Sequence, residues 1–441
     1  MVAPLKVGLA GLGTVGASVV RLIEGQREAL AARCGRAIEI VAVSARSASK
    51  ERPVDLSATR FVADPVALAT DPEIDVLIEL MGGEGDPARS AVEAGLRAGK
   101  SVITANKALL ARHGVALAEI AEQQHVALSF EAAVAGGIPI VKTLREGLVG
   151  NKLTRIYGIL NGTCNYILTR MEQEKLSFGE CLKDAQRLGY AEADPSFDVD
   201  GHDTAQKLAI LASLAFGTKV DPSAVYVEGI SSITPADLDA ADELGYRIKL
   251  LGVAVATGTG IEQRVHPTMV RKDSAIAQVM GVTNAVTVDA DAVHAITLVG
   301  PGAGGMATAS AVVSDLGDIA RGVRTAPFGQ PSARLAATEK APMQRHEGGY
   351  YIRLLAVDRP GTAATIATRL AEQQISLESI VQRHRGGRPL GGDHPASAAE
   401  PVPVILITYA TTEDAVRKAL AAVEGDKVIS GRPQVIRIEK N

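Results

Sequence analysis

The sequence predicts an α/β protein with a doubly wound parallel sheet at its start, an α+β domain in the middle and a small βαββαβ domain at its end. Three observations lead to this prediction: a glycine-rich turn near the N terminus, apolar runs that alternate with helical patterns as far as about residue 130, and a new strand–helix–strand pattern from about residue 350. A chain of 441 residues is too long for one ordinary core, so we expect two or three domains.

The glycine-rich turn follows the apolar run Lys6–Ala10 and precedes a helical pattern that extends to about Arg33. In a strand–turn–helix unit of this Rossmann type, Gly11 permits the tight turn, Gly13 lets the backbone approach a pyrophosphate, and Gly16 lets the helix pack on the strand. The start of the helix offers free amides to phosphate groups. A glycine turn without a ligand is the alternative. The cofactor-binding residues predicted in this turn are Gly11, Gly13, Thr14, Val15 and Gly16.

The loop after the second predicted strand, Ile38–Val43, indicates which dinucleotide is bound. An NAD site usually has an acidic side chain here that holds the ribose 2′-hydroxyl, but the sequence continues Ser44-Ala45-Arg46 without an acid. Arg46 and the nearby Lys50 are suited to a 2′-phosphate, so NADP is favoured, while NAD stays possible. The alternative is that both are solvated loop cations.

Further apolar runs, separated by helical patterns, complete the first domain. Strands are predicted at Asp75–Leu80, Ser101–Thr104 and Val126–Phe130, with helices at about Pro87–Ala98 and Ala108–Gln123. The functional loops of such a parallel sheet follow the carboxyl ends of its strands. These loops are Glu79–Gly83, Ala105–Lys107 and Glu131–Gly137.

An acidic run precedes an apolar helix in the middle of the chain. It contains Glu192, Asp194, Asp198, Asp200 and Asp203. Asp203 and Lys207 are four residues apart, so they share one face of the helix near its start. Taken alone, this spacing equally fits an ordinary surface salt bridge, which contributes little.

Four segments together resemble the homoserine dehydrogenase family over about residues 5 to 320. They are GILNGTCNYILTRM (Gly158–Met171), LGYAEADPSFDVDGHDTAQKLAILA (Leu188–Ala212), Thr104–Lys107 and EAAVAGGIPI (Glu131–Ile140). The resemblance implies an NAD(P)H-dependent, reversible reduction of L-aspartate 4-semialdehyde to L-homoserine, in the biosynthesis of threonine, methionine and isoleucine. Another semialdehyde oxidoreductase and a non-catalytic NAD(P)-binding amino-acid sensor are the alternatives.

The resemblance also implies a role for individual residues. Lys207 matches the catalytic lysine, Lys107 lies beside nicotinamide and substrate, and Asp203 belongs to the same catalytic group. The substrate-binding acids are Glu192, Asp198 and Asp203, and further cofactor contacts are Gly189 and Gly302. This assignment suits the chemistry, because a lysine ammonium stabilises the negative charge that develops on an aldehyde oxygen during reduction and donates a proton to it.

Two further assignments concern a cation and a thiol. By resemblance, main-chain oxygens of Glu131, Val134, Gly136 and Ile138 hold a monovalent cation such as Na⁺, although a glycine loop with one structural carboxylate is the alternative. Cys164 lies within the motif NGTCNY, which suggests covalent catalysis through a thiohemiacetal. No histidine lies near it in sequence, so a small buried core residue is the better interpretation.

The C-terminal part predicts a βαββαβ fold, and its turn Asp358–Gly361 resembles that of ACT domains. The predicted elements are the strand Tyr350–Val357, helix Thr362–Gln374, strands Ser379–His384 and Val404–Tyr409, helix Glu413–Val423 and strand Gln434–Ile438, with an insert at Arg385–Pro401. ACT domains bind amino acids, so we expect an amino-acid effector, with threonine the first candidate. A dimerisation module without a ligand is the alternative.

These patterns divide the chain into four parts. They are a dinucleotide-binding domain at 1–140, completed by a helix near 303–320; a substrate-binding, catalytic and dimerisation domain at 141–320; a linker at 321–347; and an ACT domain at 348–441. We expect a monofunctional enzyme, since no aspartokinase-like segment precedes the glycine turn, and a homodimer or homotetramer.

Composition excludes several other classes of protein. The net charge is −4 with no basic block, so we expect no nucleic-acid partner. The apolar run Leu208–Phe216 is shorter than the roughly 20 residues that cross a bilayer, so we expect no membrane span. Three scattered cysteines predict reduced thiols and a cytoplasmic location.

Overall fold

The computed structural model describes residues 2–382 and 401–439. Its first part contains, in chain order, β1 (Leu5–Ala10), α1 (Thr14–Gly25), α2 (Arg27–Cys34), β2 (Ile38–Ser44), β3 (Arg60–Phe61), α3 (Pro65–Thr70), β4 (Val76–Glu79), α4 (Ala88–Arg97), β5 (Ser101–Thr104), α5 (Lys107–Gln123) and β6 (Leu128–Ser129). The six strands form a parallel sheet in the order β3-β2-β1-β4-β5-β6. The predicted Rossmann-type sheet is thereby confirmed.

The prediction of one long helix after the glycine turn is wrong in one respect. The structure has two helices there, α1 and α2, with a break at Gln26, whose φ of −118° and ψ of 16° are not helical. Gly25 precedes the break, and glycine is among the weakest helix formers. The short elements β3 and α3 were not predicted, because neither is long enough to show a hydrophobic period. Helix α3 begins at Pro65 after Asp64, whose carboxylate accepts hydrogen bonds from two amides of the first turn.

The middle part combines helices with long antiparallel strands. Its elements are α6 (Ile140–Lys142), β7 (Leu153–Ile159), α7 (Gly162–Glu174), α8 (Phe178–Arg187), α9 (Ser196–Val199), α10 (His202–Phe216), β8 (Tyr226–Val227), α11 (Pro235–Glu243), β9 (Tyr246–Thr257), β10 (Gly260–Arg271), β11 (Thr283–Ala290), β12 (His294–Pro301) and α12 (Gly305–Ala320). Helix α12 returns to the first part and packs on α1, where a side chain at Gly305 would lie 2.6 Å from Ser18 Oγ. Val312 and Leu316 of α12 share a core with Val19 of α1.

The C-terminal part has the βαββαβ order of an ACT domain, with one two-residue strand added. Its elements are β13 (Glu347–Ala356), α13 (Thr362–Glu372), β14 (Leu377–Gln382), β15 (Val402–Thr408), β16 (Thr411–Thr412), α14 (Glu413–Gly425) and β17 (Gln434–Ile438). The insert predicted at Arg385–Pro401 lies outside the described residues except for Pro401.

The middle and C-terminal parts share one sheet, in the order β12-β11-β7-β9-β10-β17-β13-β15-β14. Strand β17 makes this continuity, since it pairs in parallel with β10 at Thr268 and Met269 and antiparallel with β13. Strand β8 pairs with β10 along the preceding stretch of the same edge, at Arg264 and Val265. The segment between α12 and β13 also lies against the middle part, where the amide of Ile261 donates to the carbonyl of Glu339 (2.8 Å).

Among residues 2–382 and 401–439, no helix combines the length and the apolar character that a membrane span requires.

Candidate active site

A cleft of about 300 Å³ lies at the carboxyl ends of the parallel strands, between the first part and the middle part. Ligands of doubly wound sheets bind at this edge. Val15 of the glycine turn, Lys107 of α5, Lys207 of α10 and Gly302 before α12 all line the cleft. The cleft therefore joins residues that the sequence assigned separately to cofactor binding and to catalysis.

The glycine turn has the shape that a dinucleotide requires. A Cβ at Gly11 would lie 2.5 Å from the carbonyl oxygen of Leu80, and one at Gly16 would lie 2.1 Å from the carbonyl oxygen of Gly11. A Cβ at Gly13, in contrast, would meet nothing within 4 Å. No side chain caps the N terminus of α1 and its first turn contains no acid, so its free amides suit a pyrophosphate.

The loop after β2 contains three cations, one of which sequence reasoning missed. Arg46 and Lys50 are exposed. Arg52 instead donates to the carbonyls of Leu12 (3.3 Å), Lys50 (2.8 Å) and Ser47 (2.7 Å). It therefore holds the loop that carries Arg46 and Lys50 against the glycine turn. A single arginine in a loop has no pattern that could reveal this role.

Asp203 is the centre of the candidate catalytic group. Its side chain is buried, and its carboxylate contacts Lys207 Nζ at 2.7 Å and Lys107 Nζ at 3.3 Å. Burial raises the pKa of Asp203, but the two ammonium groups outweigh burial and hold it below its usual value. The predicted catalytic residues Lys207 and Lys107 thus both contact the third, Asp203.

The start of α10 explains how Asp203 reaches this position. Gly201 precedes the helix with a φ of +91°, and a Cβ there would lie 3.0 Å from Val265 Cγ1. A side chain at Gly201 would therefore be strained. Asp203 follows in the first turn, where the helix dipole favours a negative charge.

Asn161 connects the acidic residues and was not predicted. Its Nδ2 donates to Asp198 Oδ1 (2.7 Å) and to Asp203 Oδ2 (2.8 Å), while its Oδ1 caps α7 by accepting from the amide of Cys164 (2.8 Å). Burial raises the pKa of Asp198, although Asn161 opposes this effect. An asparagine before a helix is recognisable as a cap, but the sequence does not reveal its contacts with two distant carboxylates.

Lys107 is positioned by a chain of hydrogen bonds that begins at the buried carboxylate of Glu79. Glu79 accepts a hydrogen bond from Thr104 Oγ1 (2.6 Å) and from the amide of Met81 (2.7 Å). Thr104 Oγ1 in turn accepts from the amide of Asn106 (3.0 Å), and Asn106 caps α5 through the amide of Leu109. Lys107 is the first residue of that helix, so this chain of hydrogen bonds determines where its side chain begins.

Three other expected or nearby residues are exposed and do not line the cleft. Glu192 is exposed, and Gly189 belongs to the same loop, outside the residues that line the cleft. Phe197 is 44% exposed although its ring centroid lies 6.0 Å from Lys107 Nζ. The roles of Glu192 and Gly189 therefore stay predictions.

The loop expected to hold a cation contains a buried acidic pair. The Glu131 carboxylate accepts from the amides of Val141 (2.9 Å) and Lys142 (2.8 Å), and its own amide donates to Asp315 (2.9 Å). Burial raises the pKa of Glu131 to about 7 and that of Asp315 to about 6. Within the described chain, the carbonyls of Val134 and Gly136 accept no hydrogen bond, although both residues are buried.

Cys164 is fully buried and its Sγ contacts the carbonyl oxygen of Asp198 at 3.2 Å. Burial raises the pKa of its thiol well above the usual value, so little thiolate forms near neutral pH. We expect Cys164→Ala to keep kcat within about threefold of the unmodified protein and to lower stability by about 1 kcal/mol. Steady-state kinetics and urea unfolding measure both quantities. A loss of kcat by three orders of magnitude in a folded variant would instead favour covalent catalysis.

Three family models match the chain. They are described as the homoserine dehydrogenase NAD-binding domain over residues 11–131, homoserine dehydrogenase over residues 139–316 and the ACT domain over residues 350–425.

Full-length relatives agree with these matches. The chain is 43% identical to a homoserine dehydrogenase of Neisseria gonorrhoeae over 99% of both chains. It superimposes on the crystal structure of a homoserine dehydrogenase from Thiobacillus denitrificans with a TM-score of 0.90 and 42% identity, over 99% of this chain and 98% of that one. A hyperthermophilic archaeal homoserine dehydrogenase, solved in complex with NADPH, has a TM-score of 0.61 and 25% identity over 71% of this chain and 97% of that one.

Proposed function

Because the chain belongs to the homoserine dehydrogenase family, and is an oxidoreductase that interconverts L-aspartate 4-semialdehyde and L-homoserine, we propose that Lys207 acts on the reacting oxygen. An ammonium group has three donors. Two of those of Lys207 are used, by the carbonyl of Leu160 (2.8 Å) and by Asp203 (2.7 Å). The third is left for substrate in the cleft that Lys207 lines, and this observation supports the assignment most directly.

A nicotinamide dinucleotide, for which the chain has a matching domain, supplies the hydride when it is bound. In the reduction, the Lys207 ammonium stabilises the charge that grows on the aldehyde oxygen and then gives that oxygen a proton. Asp203 orients the ammonium group by accepting its hydrogen bond. In the oxidation, Lys207 in its neutral form accepts the hydroxyl proton of homoserine.

The remaining polar residues orient the substrate. Lys107 contacts Asp203 from the side of α5, so it contributes a second positive charge beside the reacting atoms. We assign the substrate ammonium to Asp198, which is held by Asn161, and to the exposed Glu192. Gly189 and Gly302 are assigned to cofactor contact, with Gly302 in the cleft wall.

The assay that tests this function follows NADPH and NADH oxidation in parallel, with L-aspartate 4-semialdehyde as substrate. We expect semialdehyde-dependent oxidation and a lower KM for NADPH. Oxidation of the reduced cofactor without formation of homoserine would contradict the reaction for which the residue roles are proposed.

The preference for NADP follows from the loop after β2, which offers two exposed cations and no acid at its start. We expect Arg46→Ala to weaken NADPH by about 1.5–3 kcal/mol, because a charge-assisted phosphate contact is lost, and to leave NADH almost unchanged. Fluorescence titration of each reduced cofactor measures both affinities. Arg27→Ala, at an exposed arginine of α2, is the control. Equal losses for NADPH and NADH would show that Arg46 does not bind the 2′-phosphate.

A monovalent cation fits the loop that follows β6. Buried carbonyl groups without a donor cost free energy, and those of Val134 and Gly136 lack one within the described chain. The carboxylate of Glu131 is already bound by two amides. We therefore assign the ligands to main-chain oxygens of Glu131, Val134, Gly136 and Ile138, with Na⁺ the first candidate.

The ACT domain supports regulation by an amino acid, for which threonine remains our first candidate. We also propose a homodimer or homotetramer and a cytoplasmic location, as the composition and the family resemblance suggest.

A further inference from the structure

A second cavity, of about 860 Å³, lies where the ACT domain meets the middle part of the chain. This volume is within the range of ligand sites, which often form at domain interfaces. Its walls come from α14 and β17 on one side and from the segments around Asp200 and residues 226–232 on the other. It is separate from the active-site cleft, and it does not include the turn Asp358–Gly361, where we expect ACT domains to bind their effectors.

The ACT side of this cavity presents guanidinium groups with free donors. Arg417 binds Glu413 and Tyr226 through Nε and Nη2, which leaves Nη1 without a partner in the described chain. Arg353, in contrast, is engaged by Asp237 through Nε and Nη2 and also by the Tyr351 hydroxyl. Arg432 is exposed and makes no hydrogen bond or ion pair with any described residue. Such groups suit a carboxylate.

The opposite wall presents a carboxylate and two hydroxyl groups. The carboxylate of Asp200 and the hydroxyl groups of Ser231 and Ser232 line the cavity, and none has a hydrogen-bond partner among residues 2–382 and 401–439. Val416 and Leu420 of α14 and Val435 of β17 add apolar side chains to the ACT-side wall. The cavity therefore offers free positive and negative groups together with an apolar surface.

We propose that this cavity binds a zwitterionic α-amino acid, with its carboxylate toward Arg417 and Arg432 and its ammonium toward Asp200. The inference rests on the amino-acid regulation proposed above and gives it a location. A ligand with one charge would satisfy only one wall, whereas an amino acid satisfies both. The volume exceeds that of one amino acid, so water completes the remaining contacts.

The same cavity wall packs against the segment that leads into the catalytic helix α10. The amide of Ile230 donates to the carbonyl of Val199 (2.9 Å), and a Cβ at Gly229 would lie 2.6 Å from the Cα of Asp200. Two residues later α10 begins, with Asp203 and Lys207. A ligand held between Asp200 and α14 therefore contacts the segment that leads into the helix with the catalytic group. It regulates the site to the extent that it binds one arrangement of this segment more tightly than another.

Isothermal titration calorimetry of the full chain with L-threonine, L-isoleucine, L-methionine and L-lysine, each separately, tests the proposal. We expect at least one of them to bind. Arg432→Ala and Asp200→Asn should each weaken this binding at least tenfold, and Arg432→Ala should leave turnover without effector unchanged. Two control variants should retain binding. They are Lys418→Ala, which removes an exposed cation of α14, and Arg359→Ala, which removes a cation from the turn after β13.

Two further measurements extend the test. Analogues of the bound amino acid that lack either the ammonium or the carboxylate should bind at least tenfold more weakly than the amino acid itself. On saturation, amide hydrogen exchange should slow at residues 199–205 in the unmodified protein and not in Arg432→Ala.

Other outcomes would overturn the proposal. These are the absence of binding by all four amino acids, loss of binding in Arg359→Ala alone, equal binding of a singly charged analogue, or binding without any change at 199–205. Because dehydrogenase activity is assayed without effector, each of these failures is distinguishable from a failure of the proposed catalytic roles.

Discussion

Replacing Lys207 by alanine is expected to lower kcat by about 10²-fold or more, which corresponds to at least about 2.7 kcal/mol of transition-state stabilisation. The ammonium group has its Asp203 and Leu160 partners in place before substrate arrives. Its loss removes both the charge beside the reacting oxygen and the proton donor. The glycine turn is formed by other residues, so the dissociation constant for NADPH should remain within about threefold of its original value.

Steady-state kinetics and NADPH fluorescence titration separate these two effects. Lys219→Ala is the matched control, because Lys219 is an exposed lysine just beyond the end of α10. Addition of a small primary amine should partly restore the turnover of the alanine variant. If Lys207→Ala turned over at nearly the original rate, or lost NADPH binding in parallel, the assignment of Lys207 would fail.

Replacing Arg437 by methionine is expected to lower the free energy of unfolding by about 3 kcal/mol. The guanidinium group is buried and binds Glu413 through Nε and Nη2 and Glu228 through Nη1 and Nη2. Among the described residues, its removal leaves the buried Glu413 with Arg417 as its ion-pair partner. Burial raises the pKa of Glu413, but Arg437 holds it below its usual value.

Equilibrium urea unfolding measures this loss of stability. The control is Lys418→Ala, which breaks an exposed ion pair in α14, the helix of Glu413, and should lower the free energy of unfolding by less than about 1 kcal/mol. The pH gives an independent check. A carboxyl with a depressed pKa stabilises the fold above its ordinary value of about 4.3 and loses this effect as the pH falls further. The difference in the free energy of unfolding between the unmodified protein and Arg437→Met should therefore shrink in acid. A difference that stayed constant down to pH 2 would argue against the ionic contribution of Arg437.

Local features of the fold and site could be predicted because they depend on neighbouring residues. The glycine turn and the contact of Asp203 with Lys207 both follow from spacing within one strand–turn–helix unit or one helix. The contact of Lys107 with Asp203 joins α5 to α10 and has no local pattern. The same holds for Asn161, whose cap is recognisable while its carboxylate partners are not.

The largest difference between prediction and structure concerns the C-terminal domain. Its strands and helices could be predicted from their apolar patterns, but such a pattern does not reveal which strands will lie side by side in the sheet. The pairing of β17 with β10 joins segments on either side of the predicted linker. The ion pairs of Arg437 with Glu228 and of Arg353 with Asp237 cross the same boundary.

The position of β17 has a consequence for synthesis on the ribosome. Strand β10 is complete once Arg271 has been made, and β8 is already available to cover Arg264 and Val265. The adjoining stretch at Thr268 and Met269 stays without its partner until β17, at Gln434–Ile438, has been translated. An unpaired strand edge is a site of intermolecular association. Nascent chains stalled before β17 should therefore depend on chaperones more than released chains do.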